Sequence, residues 1–130
     1  MTADSDGDGV TDQWGFVTEV GMNRIGGWIY GNGGGYLTED KSACMLDDPA
    51  SVQALEFLTG MMFDEKVAPS RKELGELSAK DTFSSGKAGM YVCGGWRVLG
   101  FRDITDFGWD IAPIPISPNS GKRGTVVDTV

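Results

Sequence analysis

The chain has 130 residues, of which 40% are hydrophobic and 23% charged, and its formal net charge is -8. This length suits one domain or one lobe of a larger protein, and the composition is that of a globular protein. A negative charge without a basic stripe argues against nucleic acid and anionic membranes as partners. The absence of histidine excludes Ser/His and Cys/His nucleophile pairs and removes the commonest zinc ligand.

The chain opens with a polar loop, DSDGDGVTDQWGF, in which aspartates alternate with glycines. Four aspartates stand at positions 1, 3, 5 and 9 of an EF-hand-type calcium loop: Asp4, Asp6, Asp8 and Asp12. The twelfth position, which should supply a bidentate carboxylate, is Gly15, and no helix is predicted before the loop. The sequence therefore favours an Asp/Gly turn held by side-chain-to-backbone hydrogen bonds. The alternative is weak or structural calcium binding by the four aspartates, which would make the chain a calcium-dependent structural or adhesion module.

A strand and a short helix are predicted next. The segment WGFVTEV (14–20) is aromatic and β-branched, as strands are. In MNRIGGWIYGNGGG (22–35), Ile25, Trp28 and Ile29 recur at helical spacing before a glycine-rich end. That pattern predicts a helix with a glycine C-terminus.

A small hairpin and a long helix follow. YLTEDKSACML (36–46) alternates weakly, which predicts the hairpin. LDDPASVQALEFLTGMMFDEKVAP (46–69) is the clearest helix, because Asp48 is a good N-cap and Pro49 fits the first helical position. Its apolar residues recur at three- and four-residue steps, which predicts one face packed in the core: Val52, Leu55, Leu58, Met61 and Met62.

The second half predicts alternating helices and strands. In chain order these are a polar surface helix and loop (71–86), a buried strand AGMYVC (88–93), a helix WRVLGFRD (96–103), a strand FGWDIAPIPISP (107–118), a turn (119–124) and a last strand GTVVDTV (124–130). Strands interleaved with helices favour an α/β layered fold. Because a natural domain seldom stops in mid-strand, we expect both ends of the chain to be cut.

The two cysteines, Cys44 and Cys93, have no CxxC spacing, and two thiols alone do not close a zinc site. Buried thiols are the expectation, because cysteine outside disulfides behaves as a small apolar residue. A disulfide between them is left as an alternative, since it needs Cα atoms within about 7 Å of each other and a sequence does not show that distance.

The first candidate ligand site is CGGW, where a predicted strand passes into a predicted helix. Open α/β sheets bind ligands at the carboxyl ends of their strands, and Gly95 would let a ligand approach the backbone closely. Trp96 is placed to stack on an apolar surface such as the C–H face of a sugar ring; the alternative is a core tryptophan at a tight turn. Arg97 would reach a hydroxyl or carboxylate, or else be solvated.

The second candidate set is Trp28, Tyr30 and Asn32, aromatic and amide side chains typical of carbohydrate sites. The spacing of Trp28 favours core packing for that residue, whereas Asn23, near the helix start, is the more plausible polar contact. Paired carboxylates would indicate a glycoside hydrolase, but no acidic pair has a strand-end context, so an enzyme is not expected.

Five segments, taken in this order, resemble the extracellular solute-binding proteins of bacterial sugar importers of the ATP-binding-cassette (ABC) type: DSDGDGVTDQWGF, GGWIYGNGGGYL, LDDPASVQALEFLTGMM, FSSGKAGMYVCGGWRV and FGWDIAPIP. The resemblance covers nearly the whole chain. It implies a single α/β lobe fragment over residues 1–130, part of the C-terminal lobe of a two-lobe, type 2 periplasmic-binding-protein fold.

Several expectations follow from this resemblance. The chain would be a binding protein outside the cytoplasm, periplasmic or anchored as a lipoprotein, that captures an oligosaccharide between lobes that close by hinge motion. Its partners would be a carbohydrate, the membrane permease of the importer and the missing N-terminal lobe. A homo-oligomer is also expected, because a cut strand edge invites pairing. No cofactor is implied, and calcium is not a general feature of the family.

Carried over to this sequence, the resemblance orders the candidate ligand contacts. Trp96 is the first choice, with Gly95 allowing the approach, and Asn23 is the second. Trp28, Asn32 and Arg97 complete the set, with Trp28 and Asn32 ranked lower because the helix would turn them inward.

Overall fold

The structure is a computed structural model that describes residues 2–126. The chain divides into two compact units, one formed by Met1–Glu19 and Gly60–Ile111 (unit 1) and one by Val20–Thr59 and Ala112–Val130 (unit 2). The described residues form two strands and five α-helices: β1 (Val17–Thr18), α1 (Met22–Gly31), α2 (Pro49–Phe63), α3 (Arg71–Leu74), α4 (Ala79–Ser84), β2 (Tyr91–Val92) and α5 (Val98–Phe101). None of these helices is long and apolar enough to span a bilayer.

Unit 1 is built on a short parallel pair of strands. β1 pairs with β2 so that Val17 lies opposite Tyr91, and a parallel bridge between Trp14 and Ala88 continues the pairing toward the amino ends. Trp14, Val17 and Ala88 form the core cluster together with Ala79 of α4. The two strands predicted around residues 14–20 and 88–93 are therefore present and parallel, but each strand is only two residues long.

Unit 2 contains α1, where the helical prediction is confirmed. The helix ends at its C-cap Asn32, and Gly33 follows with a φ of 93°, a left-handed conformation that glycine adopts without steric cost. The hairpin prediction is also confirmed by an antiparallel bridge between Leu37 and Cys44.

The start of α2 is as predicted, whereas its buried face is only partly as predicted, since Leu58 is buried but Val52 is exposed. The Asp48 carboxylate accepts a hydrogen bond from the Ala50 N–H at 2.9 Å, which is an N-cap contact. The buried stripe is Ser51, Ala54 and Leu58, whereas Val52, a predicted core residue, is 38% exposed. Ser51 is buried because its hydroxyl exchanges hydrogen bonds with the N–H and carbonyl of Gly35, at 3.1 and 3.2 Å, contacts that no periodicity rule detects.

The strand predicted at 107–118 is wrong, because this segment forms no ladder in the described structure. It contains three prolines, and each removes a backbone donor that a ladder needs. Of the last predicted strand, residues 124–126 are not in a strand and residues 127–130 lie outside the described part.

The expectation of buried thiols is also wrong. Cys44 is exposed and Cys93 is half-buried, and neither forms a disulfide in the described structure. The reason for Cys44 is its place at the hairpin bridge to Leu37, where the chain turns at the surface.

Candidate functional site

The carboxyl ends of β1 and β2 meet at one edge of unit 1, because the two strands are parallel. Glu19 follows β1 directly, and the glycine pair Gly94 and Gly95 follows β2. Ligands of open α/β sheets bind at this kind of edge. The predicted segment CGGW therefore lies where the strand-end argument requires.

Trp96 is the most exposed aromatic side chain at this edge. It belongs to a 3-10 turn, Gly95–Arg97, and its side chain is 51% exposed. The indole ring lies over Gly94, so that a Cβ added at Gly94 would overlap the ring, whereas a Cβ added at Gly95 would meet nothing within 4 Å. Gly94 is thus the glycine that this ring position requires, and the open space lies in front of Gly95.

Arg97 is paired inside unit 1. Its Nη2 donates to Oε1 of Glu19 at 3.0 Å, and the hydroxyl of Tyr91 donates to the same oxygen at 2.8 Å. The hydrogen bond to Glu19 raises the pKa of the Arg97 guanidinium. Burial, and then the hydrogen bond to Glu19, raises the pKa of the Tyr91 hydroxyl. At neutral pH this edge therefore carries one balanced ion pair and a protonated tyrosine.

Trp28 and Asn32, in unit 2, line a cavity of about 240 Å³. The Trp28 ring packs on Phe57 of α2 with centroids 5.8 Å apart, and Ile114 and Pro115 contribute further apolar lining. Both side chains were expected to point inward, and in the structure they face a cavity within unit 2.

The side-chain amide of Asn32 is fully engaged by neighbours within unit 2. Its nitrogen donates to the Ala50 carbonyl at 2.8 Å and to Gln53 Oε1 at 3.1 Å. Its oxygen accepts from the Ser117 hydroxyl at 2.7 Å and from the Asn119 amide at 3.0 Å. An amide offers two donors and two acceptor sites, and all four are used here. The Asn32 side chain therefore connects the turn at 117–119 to α1 and α2.

Asn23 lies on the exposed first turn of α1. It is not among the residues that line the cavity. The structure therefore groups Trp28 with Asn32, and places Asn23 elsewhere on the surface of unit 2.

The aspartate loop forms the turn that the sequence favours. The Asp4 carboxylate accepts from the N–H groups of Gly7 at 2.7 Å and Gly9 at 2.9 Å, and that of Asp8 accepts from Val10 N–H at 2.7 Å. Asp12 accepts from the Ser5 N–H at 2.7 Å, and this backbone hydrogen bond is the main reason that its pKa is lowered.

Three of the four aspartates nevertheless converge. One carboxylate oxygen from each of Asp4, Asp6 and Asp8 lies within 4.8 Å of the others, and all three side chains are exposed. Asp12 is outside this cluster. The cluster offers carboxylate oxygens, the ligand type that calcium prefers, but Gly15 supplies none at the position where a bidentate group is needed.

Sequence reasoning missed Glu19 and Tyr91 at the strand edge, and Gln53, Phe57 and Asn119 at the cavity. Glu19 was detectable, because it stands directly after a predicted strand, but only if that strand had been paired in parallel with 88–93. The cavity residues are far apart in sequence, and no local pattern joins them.

Comparison with solved structures gives clear relatives. The ABC substrate-binding protein Lmo0181 from Listeria monocytogenes, solved with cycloalternan, matches with a TM-score of 0.77 and 30% identity over 91% of this chain and 32% of that one. The maltose/maltodextrin-binding domain MalE from Bdellovibrio bacteriovorus, bound to maltotriose, matches with a TM-score of 0.73 and 27% identity over 96% of this chain and 33% of that one.

A third structure supports the fold alone. UspC from M. tuberculosis matches with a TM-score of 0.72 at 20% identity, over 88% of this chain and 31% of that one. No family model and no curated protein matches the chain. The chain thus spans about a third of the length of the structures it resembles. These matches confirm the α/β class, part of a lobe of a periplasmic-binding-protein fold, and the resemblance to sugar-binding proteins of ABC importers.

Proposed function

We propose that this chain, which has the fold of part of a sugar-binding ABC importer protein, forms one wall of an inter-lobe cleft that captures an oligosaccharide. It acts by binding and not by catalysis, as its structural neighbours are binding proteins. The site would work outside the cytoplasm and pass its ligand to a membrane permease. Two of the neighbours were solved with a cyclic or linear oligosaccharide, cycloalternan and maltotriose.

The position of Trp96 is the observation that carries this proposal. Its indole is half exposed at the carboxyl edge of a parallel strand pair, with open space in front of Gly95. A flat aromatic face suits the apolar C–H face of a sugar ring, and aromatic side chains supply large contact areas at ligand sites. Ordered stacking on Trp96, with hydrogen bonds from polar side chains to the hydroxyls, is the binding mode we assign.

The other candidate residues have different weights. Arg97 is already paired with Glu19, so it would offer only its remaining N–H groups. Asn23 is exposed and accessible to a ligand. Asn32 uses its amide within unit 2, which supports a structural role in preference to ligand contact, and Trp28 lines the same cavity.

A titration of the tryptophan variant tests the proposal. In a protein that joins this chain to the complementary lobe, Trp96→Ala should lose about 2 kcal/mol of maltotriose binding, or roughly 30-fold in affinity, as expected for a stacked anchor. Leu99→Ala, which removes another exposed apolar side chain of unit 1 (67% exposed), is the matched control and should bind normally. Calorimetry measures both, and unchanged affinity in Trp96→Ala would show the assignment to be wrong.

The chain by itself should bind sugar only very weakly, because the second wall of the cleft is absent. Calorimetry with maltotriose and with cycloalternan measures this directly. Micromolar binding to either sugar would contradict a site that needs two lobes.

Calcium binding by the aspartate loop is a second candidate function, favoured by the convergence of Asp4, Asp6 and Asp8. A weak site with a Kd of about 1 mM would stabilise the fold by roughly 1.4 kcal/mol in about 10 mM calcium. A thermal melt in calcium against chelator measures this effect, and Asp6→Asn is the variant that should abolish it. Identical melts would leave the loop as a turn.

A further inference from the structure

The turn that holds Trp96 is not fixed by its own sequence. It is a three-residue 3-10 turn whose N-cap is Gly94, a residue with no side chain to cap the turn. Two consecutive glycines precede Trp96, and glycine leaves the backbone more conformations than any other residue. The turn runs directly into α5, and 3-10 turns are common at the start of α-helices although their hydrogen-bond geometry is poorer than that of the α-helix. Contacts from outside the turn therefore help to set the orientation of the Trp96 ring.

Glu19 supplies such a contact. One of its carboxylate oxygens, Oε1, receives both the Arg97 guanidinium and the Tyr91 hydroxyl, at 3.0 and 2.8 Å. Arg97 is the residue next to Trp96 and lies in the same turn. The Glu19 and Arg97 side chains are 28% and 34% exposed, so this charge-assisted hydrogen bond is partly shielded from water and stronger than a neutral one.

Tyr91 in turn places the Glu19 carboxylate. Its ring packs against Phe83 and Phe101, with centroids 5.9 and 6.0 Å away, and Phe101 is buried. A tyrosine hydroxyl is protonated, and therefore a donor, across the physiological range, and burial raises the pKa of this one further. A rigid aromatic cluster thus fixes the hydroxyl, the hydroxyl fixes the carboxylate, and the carboxylate fixes Arg97.

We propose that Glu19 is a positioning residue that holds the Gly95–Arg97 turn, and with it the Trp96 ring, through its shared contacts with Tyr91 and Arg97. This relay runs from the core of unit 1 to an exposed side chain. Its importance for ligand affinity rests on the function proposed above, whereas its effect on the ring itself does not.

Indole NMR of the present chain tests the relay without any sugar. In a ¹⁵N-labelled sample the Trp96 indole N–H peak is assigned with Trp96→Phe. Glu19→Ala should displace or broaden that peak while the indole peak of Trp14, which is buried in the core of unit 1, stays in place. Glu19→Gln, which keeps an acceptor oxygen, should displace the Trp96 peak less than half as far. Glu76→Ala, which removes an exposed glutamate of unit 1, should move neither peak.

Two results would overturn the proposal. One is an unmoved Trp96 peak in a folded Glu19→Ala chain, and the other is an equal displacement of the Trp14 and Trp96 peaks, which would mean that Glu19 merely stabilises unit 1. If Glu19→Ala does not fold, Arg97→Gln provides the second variant. It leaves the contact between Tyr91 and Glu19 intact and should displace the Trp96 peak by a similar amount, and an unmoved peak there also contradicts the relay.

The two proposals fail in different ways. If Trp96→Ala binds maltotriose normally in the two-lobe protein, the ligand role of Trp96 is wrong while the NMR result stands. If Trp96→Ala loses affinity and Glu19→Ala keeps both the affinity and the peak position, the function stands and the relay is wrong.

Discussion

At the scale of single residues, glycines set the closest backbone approaches in unit 2. A Cβ at Gly124 would overlap the carbonyl oxygen of Gly27 and the nitrogen of Gly31 in α1. Backbone atoms of a helix cannot move aside as the end of a flexible side chain can. The backbone at residue 124 therefore lies against α1 only because no side chain is present there.

We expect Gly124→Ala to lower the free energy of unfolding by about 1–3 kcal/mol, the usual cost of forcing extra volume into a packed contact. Urea denaturation followed by circular dichroism measures the loss. Gly108→Ala adds the same methyl group where nothing lies within 4 Å, and it should change stability little. Equal stability of Gly124→Ala and the parent chain would show that the backbone here shifts to accept the methyl group without cost.

At the scale of elements, the start of α2 follows from its local sequence, whereas its buried face follows from that sequence only in part. Asp48 and Pro49 fix where the helix begins. The face that is buried follows the neighbours available to it, which here are the Gly35 backbone against Ser51 and the core around Leu58. Val52 belongs to the same apolar periodicity, yet it points to solvent.

The Asp48 cap should be measurable as a stability term of α2. Asp48→Ala removes the acceptor for the Ala50 N–H and should cost about 1 kcal/mol, as other N-cap deletions do. Asp47→Ala removes the same charge from the preceding, exposed position and serves as the control. Thermal melts of both variants, compared with the parent chain, give the difference. A cost for Asp47→Ala as large as that for Asp48→Ala would mean that charge, and not the cap, is responsible.

At the scale of the whole molecule, unit 1 presents large apolar side chains to solvent. Met90, Trp96 and Leu99 are 54%, 51% and 67% exposed, and the sheet has two strands in the described structure, so that each of them is an edge strand. Exposed apolar surface and open strand edges both favour association between chains.

We therefore expect this chain to form an oligomer in solution. Light scattering coupled to size exclusion measures the mass at several concentrations. Leu99→Lys places a charge on the exposed surface of unit 1 and should shift the population toward monomer. A clean monomer of the parent chain at high concentration would contradict the expectation.

The sequence by itself determined α1, the start of α2 and the strand end at which the candidate site lies. Capping residues, glycine ends and helical spacing identified α1 and α2, and the CGGW step after an apolar run located the strand end that carries Trp96. These signals are local, since each depends on residues within one or two turns of each other. The likeness to the family was also visible in the sequence, because it rests on five short segments and on their order along the chain.

Only the tertiary structure decided which side chains share a contact. The parallel pairing of β1 with β2 brought Glu19 to Tyr91 and Arg97 across more than seventy residues of chain, and close packing on α1 joined Asn32 to Ser117 and Asn119. Such contacts depend on how the elements pack, which no periodicity within an element encodes. The sequence thus pointed to Trp96, but the groups that we propose hold it in place became visible only when the two strands were paired.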